Sequence, residues 1–427
     1  MNANPSTSFD VIEPASLDAI DLASPEFWAL SPAEREGAFQ KLRREDPIRK
    51  FKEVDYIPGL PVGDGFYAIT RHADILEMSR QPELFCSSRG ATSINDLPTE
   101  MLEFYGSMIN MDDPRHGRLR GIVSKSFTPR VMQTLMDDVQ RTAVDVLERI
   151  KPMGTCDFVT EVSMRLPLKI ICQMMGVPES QYDFVLAKSN IILSSGDPEY
   201  IPEGSDLIQA FMTAGAELAA MMADVSASKR QNPGHDLASA LVNAELDGER
   251  LTDQELASFF ILLLAAGNET TRNAITHGLM VLSANPDQRD IWMADFEAIA
   301  PTAVEEIVRW ATPVVFMRRT ATRDVTVGGH TFHDGDKCIL FYNSANRDER
   351  VFADPYRFDV RRDPNFHVGF GGPGPHFCLG AHLARREITV MFRELFARVP
   401  KIRITSEPDR LRSGFINGVK HLQVAIG

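Results

Sequence analysis

Residues 369–387 read GFGGPGPHFCLGAHLARRE and set five glycines and two prolines around one cysteine, Cys378. Without a Cβ, Gly369, Gly371, Gly372, Gly374 and Gly380 permit positive φ and let a flat ligand come close to the main chain. Pro373 and Pro375 restrict the same loop. A helix beginning just after Cys378 aims its free amides and the positive end of its dipole at the sulfur, which favours thiolate over thiol. Ala384, Ile388, Met391, Phe392 and Leu395 share one face of that helix, so an apolar stripe docks it and anchors the loop. A rigid, amide-rich cradle suits an axial metal ligand, and a Cys thiolate on haem iron favours O–O cleavage. On these residues alone two readings stay open, a ligand or nucleophile and a buried structural cysteine. The other four cysteines sit in apolar runs or in loops without such a cradle, and read as core.

The chain has 427 residues, enough for a sizeable core, and is 44% hydrophobic and 24% charged, an ordinary globular composition. Its net charge of −14 disfavours nucleic acid as a partner. Five scattered cysteines without a C-x-x-C pair exclude a disulfide framework and a zinc site, and fit a reducing, cytoplasmic setting. The acidic N-terminus lacks the uninterrupted apolar stretch of a leader. The strongest apolar run, FFILLLAAG from Phe259 to Gly267, falls short of the roughly 20 residues that span a bilayer, so no transmembrane anchor is expected. No repeat or low-complexity linker divides the chain, and one domain over 1–427 is expected.

Helical periodicity dominates from about Pro114 to Trp310. The longest helix opens on the capping box Thr252-Asp-Gln-Glu255 and runs to Asn285, where Pro286 ends it, a rod of roughly 50 Å. Its first half is apolar on all sides and is therefore a buried central helix. GFYAIT (65–70) reads as a strand, and RDVTVGGHTFHDGDKCILF as short strands linked by Gly-Gly and Asp-Gly turns. The fold class is mainly α (α+β), a large helical part with a small β-rich part.

Three further patterns carry chemistry. Ala266-Gly267-Asn268-Glu269-Thr270-Thr271 places an acid and an alcohol beside a small pair, just past the apolar half of the central helix. Either the small pair leaves room for a ligand and Glu269 and Thr270 move protons, or a threonine bonds back to the main chain and kinks the helix. Glu306-Ile-Val-Arg309 can pair at i, i+3, as any surface ion pair can. His116 and Arg120, four apart on one helical face, form a clamp for an anion or a solvated basic face.

Taken together, and in this order along residues 110–385, these marks resemble the cytochrome P-450 haem-thiolate monooxygenases. Their ligand loop reads F-x-x-G-x-[RH]-x-C-x-G; Gly374, His376, Cys378 and Gly380 match it, while Phe370 lies eight residues before the cysteine instead of seven. The resemblance implies haem b (iron protoporphyrin IX) ligated by Cys378, with Phe370, Gly371 and Gly380 around it. It implies Ala266 and Gly267 as a gap for dioxygen, and Glu269 and Thr270 as the proton relay. His116, Arg120, Arg319 and His376 are implied as propionate partners, although Arg318 adjoins Arg319. Glu306 and Arg309 are implied as a buried structural pair, with Arg357 as third partner or Arg362 in its place. The resemblance further implies a substrate pocket lined by residues 89–113 and 189–200, by Phe260 and Leu263, by Val315 and Phe316 and their neighbours Val314 and Met317, and by Phe415 and Ile416. Such apolar residues are equally ordinary core.

Electrons are expected from a ferredoxin and its reductase, docking on a basic patch of Arg118, Lys125, Arg385 and Arg386, and the chain is expected to be a monomer. FFILLLAAGNETTRNAITHG, APTAVEEIVRWATPVV and INGVKHLQV are similar to the mycobacterial lipid-hydroxylating branch, which implies attack on the terminal (omega) carbon of methyl-branched fatty acids and isoprenoids. Oxidation of the side-chain terminus of cholesterol or cholest-4-en-3-one is the alternative within that branch. Direct use of peroxide, and a haem-based sensor or carrier without turnover, are the alternatives outside it.

Overall fold

The computed structural model describes residues 10–54, 62–126, 129–193, 197–202, 204–234, 236–246 and 248–427. Its axis is the central helix, and the predicted capping box starts it. The Thr252 hydroxyl accepts the Glu255 N–H at 3.1 Å while the Glu255 carboxylate accepts the Thr252 N–H at 2.9 Å. The rod is not uniform. Asp253–Leu263 is α-helical, Leu264–Asn268 makes one π turn, and Glu269–Ala284 resumes the α-helix. Asn285 ends it, and Pro286 opens the next helix, Pro286–Ala294, at the first position, where a missing N–H costs nothing.

Around this axis pack Leu207–Gln231, Arg165–Met174, Phe296–Ala311 and Ala381–Arg398, the helix that follows Cys378. Gly278 sets how closely the last of these approaches, because a Cβ there would stand 2.6 Å from Phe392 Cζ. Behind Phe392 lies an aromatic block, with Trp292 centred 5.2 Å from both Phe296 and Phe392 and 5.3 Å from Phe396. The amphipathic helix Pro129–Ile150 covers another side of Ala381–Arg398.

The strand expected at 65–70 forms as Phe66–Ile69. It lies in a five-stranded sheet ordered Ile48–Phe51, Phe66–Ile69, Lys337–Phe341, Phe316–Ala321, Phe85–Cys86. Neighbours run antiparallel except Phe66–Ile69 beside Lys337–Phe341, with Leu340 opposite Ile69 and Phe341 opposite Phe316. One face buries Phe39, Phe316 and Phe341, and the other Ile69, Phe85 and Phe332. The Gly-Gly turn closes the hairpin Val325–Val327 with His330–Phe332 through two residues of positive φ.

Glu306 and Arg309 are both fully buried and meet twice at 2.7 Å. Of the two expected third partners the structure takes Arg362, whose Nε lies 3.1 Å from Glu306 Oε2; the Arg357 side chain is exposed and contributes only its carbonyl. The reason is reach, since Arg362 lies on the return of the loop and its two remaining nitrogens hold the Ala353, Asp354 and Arg357 carbonyls. Arg309 in turn donates to the Asn346 and Pro355 carbonyls at 2.9 Å, and Asn346 Oδ1 accepts the Val368 N–H at 2.8 Å, one residue before the cysteine loop. Stripping the carboxylate in Glu306→Ala leaves two guanidiniums unpaired in the interior and should cost about 3–5 kcal/mol in urea unfolding. Arg357→Ala should stay within about 0.5 kcal/mol of the parent.

The C-terminal strand Val419–His421 reaches the connection between Tyr182–Leu193 and Leu207–Gln231. Lys420 Nζ lies 3.3 Å from Asp197, 3.1 Å from Glu199 and 3.6 Å from Asp409. His421 places Nδ1 on Asp157 and Nε2 on Glu199 at 3.0 Å. Both ring nitrogens face carboxylates, so both must donate, and the ring is an imidazolium. Partial burial pulls its pKa down, but the bonds to Asp157 and Glu199 outweigh this and raise it above the ordinary imidazole value. A folded-state pKa raised in this way stabilises fully below about 6.5 and is lost as pH climbs through the folded value. Unfolding free energy followed from pH 6 upward should therefore fall, and His421→Ala should flatten that part of the curve.

Candidate active site

The cysteine loop closes on itself. The Cys378 N–H donates to the Phe370 carbonyl at 3.0 Å and the Phe377 N–H to the Gly374 carbonyl at 3.1 Å. The extra residue between Phe370 and Cys378 is absorbed by two glycines at positive φ, Gly371 at 88° and Gly374 at 146°. The sequence reading allowed positive φ at five positions, but Gly369, Gly372 and Gly380 do not use it. Gly369 and Gly372 are small because Val308 and Ser79 press against them, and Gly374 rides on the Ser79 carbonyl, 2.3 Å from where a Cβ would sit. Gly380 faces open space.

Phe370 lies beneath the Arg385 guanidinium at 4.4 Å, and Arg385 is fixed by Glu305, as is His367 at 2.9 Å. Cys378 itself is partly exposed, unlike the other four cysteines. Burial pushes its thiol up, and the Gly380 amide, Arg120 and Arg385 pull it down less strongly. The cradle thus does not supply the thiolate unaided, as the dipole argument anticipated, because desolvation exceeds what one amide and two distant guanidiniums return.

The four expected propionate partners converge. The His116 and His376 rings lie 4.3 Å apart, and Arg120 donates to the Phe377 carbonyl at 2.7 Å. His376 is pushed down to about 2 by burial and then by Arg319, His116 and Arg120. Strand alternation separates the adjacent arginines. Arg318 is spent on Asp96 at 2.8 Å and the Ile94 carbonyl at 3.1 Å, whereas Arg319 carries its charge to His376. His116 Nε2 is buried and without a partner among the described residues. His116, Arg120 and Gly374 also edge an open cleft of about 400 Å³.

The central helix, buried along most of its length, keeps accessible surface around its π turn, at Leu263, Ala266 and Thr270 among others. A cysteine that is not fully buried, an excess of donors over acceptors with one buried nitrogen orphaned, and accessible positions on an otherwise buried helix fit a flat, dianionic metal macrocycle. Cys378 can hold its metal, and His116, Arg120, Arg319 and His376 its carboxylates.

The relay residues are placed differently from the expectation. Glu269 is buried and paired with Arg272, and the Thr270 hydroxyl donates to the Ala266 carbonyl at 2.5 Å across the π turn. A Cβ at Gly267 would meet Ile171 Cδ1 at 2.7 Å, so this glycine serves as a socket for the helix Arg165–Met174.

Of the apolar lining, Phe260, Val315, Phe316 and Ile416 are buried as core, while Leu263 and Phe415 keep accessible surface. Phe415 packs edge-on to Phe316 at 5.3 Å and its carbonyl accepts the Val315 N–H at 2.8 Å. Residues 194–196 of the expected lining lie outside the described residues. The basic patch is smaller than expected, because Arg118 is neutralised by Glu249 and Glu255 and Arg385 by Glu305, leaving Lys125 exposed and Arg386. Sequence reasoning missed Ser79, Ser87, whose hydroxyl lies 3.1 Å from His376 Nε2, and Glu305. Each acts across a long chain separation, which leaves no local signal.

A family model described as Cytochrome P450 matches residues 200–400. A Mycobacterium tuberculosis methyl-branched lipid omega-hydroxylase is 50% identical over 408 residues, 95% of this chain and 94% of that protein. The chain belongs to the cytochrome P450 family. A steroid C26-monooxygenase from Mycolicibacterium smegmatis is 40% identical over 391 residues, 90% of this P450 and 88% of that protein. A solved structure of a Mycobacterium marinum cytochrome P450 in complex with pseudoionone superposes with a TM-score of 0.91 at 40% identity, covering 97% of this chain and 99% of that one. This P450 is accordingly a haem b monooxygenase of mixed α and β structure. No helix among its described residues is long and apolar enough to cross a membrane.

The socket at Gly267 is open to test. Ile171→Val removes the clashing Cδ1, so Gly267→Ala should be more favourable to thermal stability in the Ile171→Val background than in the parent, a coupling read by a double-mutant cycle. Independence of the two changes, with altered carbon monoxide binding in Gly267→Ala, would instead put the glycine beside the haem.

Proposed function

We propose that this P450 hydroxylates the terminal carbon of methyl-branched fatty acids and isoprenoid lipids, with dioxygen as oxidant and electrons from a ferredoxin and its reductase. The observation that carries the reading is 50% identity along 95% of the chain to a methyl-branched lipid omega-hydroxylase. Over the reaction one dioxygen, two electrons and two protons convert a C–H bond to C–OH and release one water. Haem held by Cys378 supplies the activation of dioxygen.

The chain's own residues bind, orient and protonate. His116, Arg120, Arg319 and His376 fix the propionates and with them the plane of the cofactor. Leu263 and Phe415 offer apolar surface to a hydrocarbon chain, which gains about 25 cal/mol per Å² buried. Phe260, Leu263, Val315, Phe316, Phe415 and Ile416 carry no charge, so this part of the proposed lining offers a hydrocarbon end no ionic anchor. Terminal C–H bonds are stronger than internal ones, and selection of the last carbon rests on positioning. The Thr270 hydroxyl, which here donates to the Ala266 carbonyl, would release that bond to give a proton toward the cofactor's face, and Glu269 would restore the proton it passes on.

A second reading, steroid side-chain oxidation, is favoured by the steroid C26-monooxygenases at 36–41% identity. Both substrates end in a branched alkyl terminus, so one funnel serves either.

The test is a substrate-induced spin-shift titration of a phytanic-type acid against cholestenone, followed by product analysis with NADPH, a ferredoxin and its reductase. Tighter binding of the acid and a terminal alcohol as main product are expected. Products at internal carbons would overturn the assignment, and preference for cholestenone would select the steroid reading. Cys378→Ser should lose the red-shifted Soret band of the reduced carbon monoxide complex. Thr270→Ala should keep that band while diverting electrons to peroxide.

A further inference from the structure

Glu269 sits in a polar setting that the helix alone does not provide. Its carboxylate is buried, and two donors converge on one oxygen, Oε1: the Arg272 guanidinium, one turn on, and Asn273 Nδ2 at 2.9 Å. Asn273 Nδ2 also donates to the Glu269 carbonyl at 2.9 Å. The other end of the Asn273 amide is fixed from outside the helix, because Oδ1 accepts the Val419 N–H at 3.0 Å. A backbone N–H can only donate, so the amide has one orientation, and its NH₂ must face Glu269. Asn273 is wholly buried. One turn further, His277 Nε2 lies 3.0 Å from the Asn417 carbonyl, so the same helical face, 269–273–277, is fastened along the C-terminal segment. No donor among the described residues reaches Oε2.

We propose that Asn273 is a positioning residue for proton delivery. It pins Oε1 of Glu269 through an amide that is itself fixed by the Val419 N–H, and leaves Oε2 as the oxygen that takes up and releases the proton. Uptake takes a proton from hydronium of the solvent and leaves water; delivery passes it to the Thr270 oxygen as that hydroxyl gives up its own proton onward, so Thr270 stays neutral and the carboxylate is regenerated. The inference rests on the reading of Glu269 as the relay acid. It adds a second demand, that the acid be held from the C-terminal segment as well as from its own helix. A Glu269 held only by Arg272 would be free to rotate with that long side chain, whereas the Asn273 amide is clamped at both ends.

Two variants separate the possibilities in the full haem-loaded chain. Asn273→Asp keeps size and the acceptor for Val419 but turns an anion toward Glu269, and Asn273→Ala removes the donor and adds no charge. In infrared spectra, with the Glu269 band assigned by its absence in Glu269→Gln, Asn273→Ala should shift the frequency of that band, because one hydrogen bond to Oε1 is lost. Both variants should raise the share of electrons lost as peroxide several-fold while keeping the thiolate carbon monoxide band. Should Asn273→Asp fail to load haem, Asn273→Ala carries the test alone. An unchanged Glu269 band and unchanged coupling in Asn273→Ala, with Glu269→Gln strongly uncoupled, overturn this inference and leave the relay reading intact. Full coupling in Glu269→Gln overturns the relay reading itself, and this inference with it.

Discussion

Glu306 is a carboxylate with no solvent contact, answered by two guanidiniums, Arg309 and Arg362, and by the Asp359 amide and Asn365. The nitrogens of those arginines left over after Glu306 is paired fall on the carbonyls of Asn346, Ala353, Asp354, Pro355 and Arg357. A meandering segment with no ladder of its own thereby gains partners for main-chain oxygens that would otherwise be buried unpaired. That segment delivers the chain to Val368 and the cysteine loop, so the position of the sulfur is inherited from a charge cluster on another helix. Such a cluster is weak evidence for added stability, since its desolvation is costly, but it tolerates only one arrangement.

The opposite wall is set by contact instead of charge. Gly278 admits Phe392 and Gly267 admits Ile171, so the central helix is gripped from two sides by side chains that seat where it has none. The helix after Cys378 is thus referenced to the central helix by Phe392 and to the Glu306 helix by the Arg385–Glu305 pair. The helix after Cys378, the central helix and the Glu306 helix are therefore packed as one unit.

Much of this was legible in sequence where the determinant is local. The capping box at Thr252, the apolar periodicity of the central helix, the strand at Phe66–Ile69 and the glycine-rich approach to Cys378 each depend on neighbours within a few residues. The order of the motifs made haem-thiolate chemistry readable before any contact was known. What escaped are choices settled by distant parts of the chain. Arg362 displaced Arg357 because the loop returns over Glu306, and Arg118 and Arg385 were withdrawn from the surface by acids more than a hundred and about eighty residues away. Gly267 gives the same lesson, since a small residue in a helix signals close approach without saying what approaches. Arg318 and Arg319 could be separated only once their strand had two defined faces.

The π turn at Leu264–Asn268 has a consequence beyond local width. One additional residue in a helical repeat advances the azimuth by about 100°, so the apolar half of the rod and the half carrying Glu269 and Thr270 are indexed to different compass points. The turn is a rotary joint. Upstream positions can be exchanged for bulkier or slimmer side chains without turning the downstream acid and alcohol from their bearing.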